Sequence, residues 1–269
     1  MSAAAPAARK DRAEHGWYVY GVVRESVAAD EAVEDLPAVG SADARIAFVP
    51  HGGIAAVVSE LTEERPLGTP DDLRAHAQVL DSLAAGFEPV LPLRFGTVLR
   101  DARAVADELL AGGHDDFVAA LDRLEGSAQF TLGARYVEGA VLREILDEQP
   151  DARRLREELS RLPEDAGYYR KIQLGQLMAE AVDAKRDPDA AEIDRRLSPL
   201  AVAVAAEEPN APEAVADVSF LVERDRRQAF EEAAEDLARR WHGRIRLRLL
   251  GPVAPYAFAT EAMAGLGEG

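Results

Sequence analysis

The alternation of hydrophobic and polar positions predicts short strands in the first hundred residues. Residues 17–23, Trp-Tyr-Val-Tyr-Gly-Val-Val, are dense in aromatic and β-branched side chains, which favours a strand. Two further apolar runs, 46–49 and 54–58, flank Pro50-His-Gly-Gly53, and the paired glycines predict a hairpin turn there. The proline-bounded segment 89–98 is expected to be extended.

Helical periodicity follows the hairpin. A helix is predicted from Thr69, or from the Asp71-Asp72 pair, to about Ala85, where Gly86 and Pro89 would end it. Apolar positions three and four residues apart predict its buried stripe: Leu73, His76, Leu80, Leu83 and Phe87. Two shorter helices are expected over 101–110 and 115–124. This mixture without a regular βαβ repeat is typical of the α+β class.

A second unit is predicted to begin near Gly126. It opens with an alternating strand over 129–137, followed by helical sequence over 138–206 that prolines interrupt at 150, 163, 188 and 199. A strand around 218–223, a helix capped by Asp225 and an alternating strand over 244–249 complete the unit. This order of elements favours a ferredoxin-like α+β layer with an enlarged helical crossover.

The predicted fold class is therefore α+β with two domains. Residues 1–15 are expected to form a disordered tail and residues 259–269 a flexible one. An N-terminal mixed α+β domain is expected over 16–125, and the C-terminal modified ferredoxin-like domain over 126–258.

Composition and charge narrow the function classes. The 269 residues carry a net charge of −18, which repels nucleic-acid phosphates and anionic lipid, so neither is an expected partner. The chain contains no cysteine, which excludes disulfides, thiolate metal sites and a cysteine nucleophile. The start has no proper signal-peptide core, and the longest uncharged apolar run near the end of a predicted helix, 197–206, is too short to span a bilayer. We expect a soluble, cytoplasmic protein.

Common catalytic and cofactor motifs do not occur in the sequence. It contains neither a phosphate-binding loop, nor a Gly-x-Ser-x-Gly elbow, nor a His-Glu-x-x-His helix. None of the five histidines lies three or four residues from another, so no helical metal pair is present. We therefore expect no catalytic residue, cofactor or metal ion.

Some polar residues in apolar surroundings are candidates for a role. His76 lies in the predicted buried stripe, where it is either a hydrogen-bonded interior histidine or a contact to a partner or to the loop 92–96. Arg94, between Leu93 and Phe95, either buttresses that loop through a carboxylate or carbonyls, or recognises a partner. The alternating Arg244, Arg246 and Arg248 form either a face paired with acidic residues or an anion site.

Several segments resemble, in order and spacing, the GvpF/GvpL family of gas vesicle proteins. They are Trp17–Val23, His76 within 73–80, Val90-Leu-Pro-Leu-Arg-Phe-Gly-Thr97, Ala166-Gly-Tyr-Tyr-Arg-Lys171 and Gly251-Pro-Val-Ala-Pro-Tyr-Ala-Phe258. The last is similar to a Gly-Pro-Trp-Pro-Pro-Tyr-x-Phe signature, from which Val253 and Ala254 depart. The resemblance implies a non-enzymatic accessory protein of gas vesicle assembly, found with the vesicle in the cytoplasm. The implied partners are the hydrophobic shell protein GvpA and other gas vesicle accessory proteins.

We hypothesise that two proline-containing loops, 92–96 and 251–258, help to form or brace a partner-binding surface. Proline restricts the conformations of their aromatic residues, so little entropy is lost on binding. The candidate residues are Pro92, Arg94, Phe95, Gly96, Pro252, Pro255, Tyr256 and Phe258. The alternative is that both loops are packing motifs that fix domain geometry, with His76 as a buttress. Two other function classes stay open: a small-molecule enzyme or ligand-binding protein with an interdomain cleft around His76 and Arg94, and a general scaffold or signalling adaptor.

Overall fold

The chain divides into two compact units. The computed structural model describes residues 16–29, 36–40, 44–61, 67–137, 139–163, 167–209 and 211–264. One unit comprises the described residues up to Gly126 together with those from Val253, and the other comprises Ser127–Pro252. The expected tail 1–15, residues 265–269 of the other expected tail and Ala166 of the quoted 166–171 segment lie outside the described residues.

A five-stranded antiparallel sheet forms the first unit's framework. Its strands are β1 (Gly16–Arg24), β2 (Ala47–His51), β3 (Ile54–Leu61), β4 (Val90–Pro92) and β5 (Val98–Leu99). They lie in the order β2-β3-β1-β4, and β5 also pairs with β1. The predicted hairpin joins β2 to β3, and Gly52 and Gly53 both have positive φ, as its turn requires. At the centre of the sheet, a side chain at Gly21 would come within 2.6 Å of the Leu91 carbonyl oxygen.

One helix of this unit lies between β3 and β4 along the chain, and others follow β5. They are α1 (Pro70–Ala84), α2 (Ala102–Ala104), which continues as a π-helical turn over Val105–Leu110, and α3 (His114–Leu124). A capping box starts α1: Thr69 Oγ1 accepts the Asp72 N–H at 3.2 Å, and Asp72 Oδ2 accepts the Thr69 N–H at 3.0 Å.

The buried face of α1 differs in part from the predicted stripe. His76, Leu80 and Leu83 are buried as expected, but Leu73 is 50% exposed. The neighbouring Asp72 is buried instead, because its carboxylate turns back to cap the helix. Phe87 is buried, although it follows the end of the helix and has a positive φ of 59°.

The second unit contains a four-stranded sheet and four helices within the part of the chain that the structure describes. In chain order they are β6 (Ser127–Tyr136), α4 (Ala140–Glu148), α5 (Pro150–Ser160), α6 (Tyr168–Leu197), β7 (Ala203–Glu207), β8 (Ala214–Glu223), α7 (Arg227–Arg240) and β9 (Ile245–Val253). The strands lie in the order β7-β8-β6-β9, and β8 is antiparallel to both of its neighbours. The aromatic centre of its core consists of Phe130, Phe220 and Phe230. The ring centroid of Phe230 lies 5.4 Å from that of Phe130 and 5.2 Å from that of Phe220.

Three sequence predictions for this unit were wrong. Residues 203–206, predicted to be helical, form most of β7, because their pairing with β8 overrides the helix propensity of alanine. Pro188 does not break the helix; it lies inside α6 on an exposed side, and Ala184, whose carbonyl loses its helical partner, is exposed as well. Asp225 belongs to a 3-10 turn, and no side chain caps the start of α7.

The last described helix belongs to the first unit. α8 (Tyr256–Ala264) packs against α3 and β4. Residues 259–264, expected to be part of a flexible tail, are therefore helical. Residues 253–258, which the sequence placed in the second domain, lie with the first unit because their contacts are made there.

A cluster of charged side chains in the second unit connects α4 and α6 with Arg244, the residue just before β9. Arg244 lies 2.7 Å from Glu144 and 2.8 Å from Asp189, and the Tyr136 hydroxyl donates to Asp189 at 2.8 Å. Burial acts to raise the pKa of Glu144, but hydrogen bonds from Arg244 and Lys185 outweigh it and lower that pKa. Of the three arginines predicted to share one face, Arg244, Arg246 and Arg248, it is Arg244 that pairs with acidic residues here.

We expect Arg244→Met to lower the free energy of unfolding by roughly 2 kcal/mol, because it leaves the Asp189 carboxylate, which has low exposure, without its cation and leaves Glu144 with Lys185 alone. Urea denaturation followed by circular dichroism measures the change. The matched control is Arg239→Met, since Arg239 pairs with Asp236 on the exposed side of α7, and its loss should cost less than about 0.5 kcal/mol. Equal losses in the two variants would show that the cluster does not stabilise the unit.

Candidate functional site

An aromatic groove in the first unit brings several of the predicted site residues together. Its volume is about 510 Å³, and α1, the segment after β4 and the start of α8 form its walls. We call it the His76 groove. Its lining consists of Leu73, His76, Ala77, Pro92, Leu93, Arg94, Phe95, Tyr256, Ala259 and Thr260.

A tight turn after β4 positions Phe95 in this groove. The Arg94 carbonyl accepts hydrogen bonds from the Thr97 N–H at 3.2 Å and from the Thr97 hydroxyl at 2.7 Å. Gly96, the third residue of the turn, has a φ of 88°, which side-chain-bearing residues rarely adopt. Phe95 is consequently held half-buried, with its ring centroid 5.9 Å from that of Tyr18 and 5.5 Å from that of His76.

His76 is a neutral, buried histidine at the centre of the aromatic cluster. The Tyr18 hydroxyl lies 2.8 Å from Nδ1, and the Tyr20 ring stacks on the imidazole at 5.7 Å. Because the Gly96 N–H donates to the Tyr18 hydroxyl, Tyr18 has its own proton to give to Nδ1. Burial lowers the pKa of His76 to about 4, and its Nε2 has no hydrogen-bond partner among the described residues.

A single backbone hydrogen bond fixes the chain segment before α8. The Ala254 N–H donates to Asp81 Oδ1 at 2.9 Å, and burial raises the pKa of the Asp81 carboxyl while this bond opposes the rise. Position 254 is one of the two departures from the Gly-Pro-Trp-Pro-Pro-Tyr-x-Phe pattern, and proline there has no N–H to donate. Tyr256 follows, 41% exposed, with its ring centroid 6.2 Å from that of His76.

The predicted site residues divide into three groups. Pro92, Arg94, Phe95 and Tyr256 line the His76 groove; Gly96, Pro255 and Phe258 lie beside it without lining it; Pro252 belongs to β9 in the second unit. Arg94 is an exposed residue, and its backbone carbonyl makes the turn contacts.

Sequence reasoning missed three residues that support the groove. Tyr18 and Tyr20 lie two positions apart and so on one face of β1, which is the signal that could have placed both next to the helix bearing His76. No sequence pattern pointed to Asp81, because its hydrogen-bond partner Ala254 lies 173 positions away in the chain.

The groove offers apolar and aromatic contact area and little acid–base chemistry. Leu73 and Tyr256 are exposed in it, and the histidine is held neutral by burial. In the described residues no group of three or more His, Cys, Asp or Glu side chains is placed to hold a metal ion. None of the described helices combines the length and the apolar character needed to cross a membrane.

Comparison with known proteins gives a consistent result. A profile of the family described as "Gas vesicle synthesis protein GvpL/GvpF" matches residues 16–260. Gas vesicle protein F of Streptomyces sp. (strain CB03234) is 33% identical over 242 residues, covering 90% of this chain and 98% of that protein. Gas vesicle protein L of the same strain is 29% identical over 231 residues, covering 79% and 82%.

Solved structures share the fold. The crystal structure of GvpF from Anabaena sp. PCC7120 superposes with a TM-score of 0.72 at 23% identity, covering 91% of this chain and 98% of that one. GvpF from Microcystis aeruginosa gives 0.70 at 22% identity, with the same coverage. The fold is therefore a mixed α+β architecture of the GvpF type. The chain belongs to the GvpL/GvpF family of gas vesicle synthesis proteins.

The low pKa of His76 predicts a specific loss of stability in acid. Because the folded value of about 4 lies below the ordinary 6.5, the unfolded chain takes up the proton first as the pH falls. The effect is absent above about pH 6.5 and reaches roughly 3 kcal/mol by pH 4. We expect the free energy of unfolding of His76→Phe to depend less on pH in this window than that of the unmodified protein.

Chemical denaturation at pH 7, 6, 5 and 4 measures this difference. The control is His242→Phe, which removes an exposed histidine in place of the buried one. If His76→Phe and the unmodified protein lose stability in parallel between pH 6 and pH 4, the imidazole is not kept neutral by the fold.

Proposed function

We propose that this protein is a non-enzymatic accessory protein of gas vesicle assembly that binds the hydrophobic shell protein GvpA and other gas vesicle accessory proteins. Membership of the GvpL/GvpF family supports the role in gas vesicle assembly. The names of its relatives support an association with the gas vesicle, which would place the protein in the cytoplasm. The observation that supports a docking role is the His76 groove, where exposed Leu73 and Tyr256 flank the half-buried Phe95.

A physical account of this role follows from solubility. A shell subunit that packs into a gas-filled wall carries apolar surface that would aggregate before it is incorporated. The groove can cover part of such a surface at low entropic cost, because the turn that carries Phe95 is already fixed by hydrogen bonds. The net charge of −18 keeps the complex soluble and disfavours nucleic acid and lipid membranes as competing partners.

We further propose that the second unit is a modified ferredoxin-like domain. Its elements follow the order strand, helices, two strands, helix, strand. When β6, β7, β8 and β9 are numbered 1 to 4, the sheet order β9-β6-β8-β7 reads 4-1-3-2, which is the order of a ferredoxin-like sheet. Helices α4, α5 and α6 are then the enlarged crossover. In this arrangement the first unit is the N-terminal mixed α+β domain, completed by the chain segment that ends in α8.

The enzyme or ligand-binding alternative is less well supported. It requires an interdomain cleft around His76 and Arg94, and a histidine pKa perturbed by a buried carboxylate. The groove residues all belong to the first unit, and burial is the cause of the low pKa of His76. The docking interpretation is therefore preferred.

We expect Leu73→Asp and Tyr256→Ser to weaken binding of GvpA about tenfold each, because both remove exposed apolar area from the groove. A pull-down with tagged protein, quantified against purified GvpA, measures the loss. Aspartate is compatible with the first turn of α1, so Leu73→Asp should melt as the unmodified protein does. Phe95 is less suitable, since its ring packs on Tyr18 and His76 and its removal disturbs the fold.

The matched control is Leu142→Asp. Leu142 is 42% exposed and also lies in the first turn of a helix, α4, in the other unit. If Leu142→Asp weakens GvpA binding as much as Leu73→Asp, the groove is not the docking surface. Deletion of the gene in a vesicle-forming strain, scored by electron microscopy, tests the role in assembly itself, and normal vesicles would contradict it.

A further inference from the structure

The outer edge of β7 is an open sheet edge. β7 lies at the end of the sheet in the second unit, and it pairs with β8 on one side only in the described part of the chain. From Val202 to Ala206 its sequence is uncharged and apolar, and Val202 and Val204 are 54% and 42% exposed. Such an edge presents unpaired backbone N–H and C=O groups to any extended chain that approaches it.

Other edges in this protein carry the devices that prevent strand addition. At the opposite end of the same sheet, β9 exposes Arg246 and Arg248. At an end of the first unit's sheet, β2 contains Pro50, which has no N–H for pairing. β7 carries a charge only at its last residue, Glu207, and residues 203–206 contain neither charge nor proline, so this part of the edge is open to pairing.

An apolar groove runs beside this open edge. It has a volume of about 660 Å³ and lies between α6 and the sheet. Apolar side chains dominate its floor: Ala190, Ile193, Val204, Ala206, Val218 and Phe220. Val204 and Ala206 are two positions apart, so they share the face of β7 that borders the groove. A strand added to β7 would direct every second side chain into the same space.

The rim of this groove is acidic. Asp187, Asp194, Glu207 and Glu208 line it, and Arg186 at one end is already paired with Asp183. Basic residues at the flanks of an incoming strand would therefore be attracted. A second copy of this chain is a poor occupant, since it brings the same acidic rim and another net charge of −18.

We propose that β7 is a strand acceptor for an extended segment of another protein, a segment with apolar side chains at alternate positions and Lys or Arg at its flanks. The backbone hydrogen bonds of the added strand provide affinity, and the groove selects the alternate apolar side chains. This surface lies in the second unit, whereas the residues of the His76 groove belong to the first. Its partner can differ from the one that binds there.

The test uses the full chain and a fluorescent peptide of about ten residues, in which valine alternates with threonine between lysine pairs. Fluorescence anisotropy measures binding. We expect Val204→Glu to weaken binding about tenfold or more, because it places a charge at the edge and in the groove. The matched control, Leu250→Glu, changes a residue of similar exposure on β9, and its affinity should stay within about twofold of the unmodified chain.

A second peptide, identical except for methylated backbone nitrogens at alternate positions, separates strand pairing from simple hydrophobic or charge attraction. It should not bind, because it lacks the N–H donors that pair with β7. Amide hydrogen exchange of residues 203–207 in the unmodified protein should slow when the first peptide is added, a readout that does not depend on any variant.

Several results would overturn the proposal. The proposal is wrong if the first peptide does not bind, or if the methylated peptide binds equally well. It is also wrong if Val204→Glu binds the first peptide more strongly through its added negative charge, or if hydrogen exchange at 203–207 does not change. Self-association of the unmodified chain that Val204→Glu abolishes, without peptide binding, would assign the edge to a second copy instead.

Discussion

The hydrogen bond between Tyr18 and His76 is the contact on which the first unit's site depends. It joins the central strand β1 to α1 across 58 positions of sequence, in surroundings where an uncharged imidazole is the stable form. The Phe95 turn packs against the same two rings, and Tyr256 approaches them from α8. Four separate segments thus converge on one aromatic cluster, which sets the shape of the His76 groove.

The two units stabilise their buried and partly buried polar groups in different ways. In the first, most polar groups of the core are neutral and hydrogen-bonded, as with the Tyr20 hydroxyl, which accepts the Val39 N–H at 2.7 Å and lies 3.0 Å from Ser59 Oγ. In the second, the helices beside β6 and β9 are held by the partly exposed cluster around Arg244. A neutral aromatic groove and an apolar open edge are both suited to polypeptide partners, and the acidic surface around them keeps the chain soluble.

Local signals made much of the fold predictable. The glycine pair of the β2–β3 turn, the capping box at Thr69 and the alternation in β6 each act within a few residues, and the corresponding elements were predicted. β7 was not, because five alanine- and valine-rich residues satisfy helical and strand patterns equally well, and only pairing with β8 decides between them. The His76 groove was predicted in part: the two loops were identified, but the tyrosines and Asp81 that support them act across distant positions. The gas vesicle role came from the family resemblance, since composition and spacing alone led only to an acidic α+β protein.

The hydrogen bond from Ala254 to Asp81 also bears on biosynthesis. The second unit, Ser127–Pro252, is inserted between the two parts of the first, so the first unit's own closing segment leaves the ribosome only after the whole inserted unit. During translation the nascent chain holds an incomplete first unit while the inserted unit is being made. A premature stop just before residue 254 would therefore damage the unit whose synthesis begins before that of the other, and leave the sequence of the inserted unit whole.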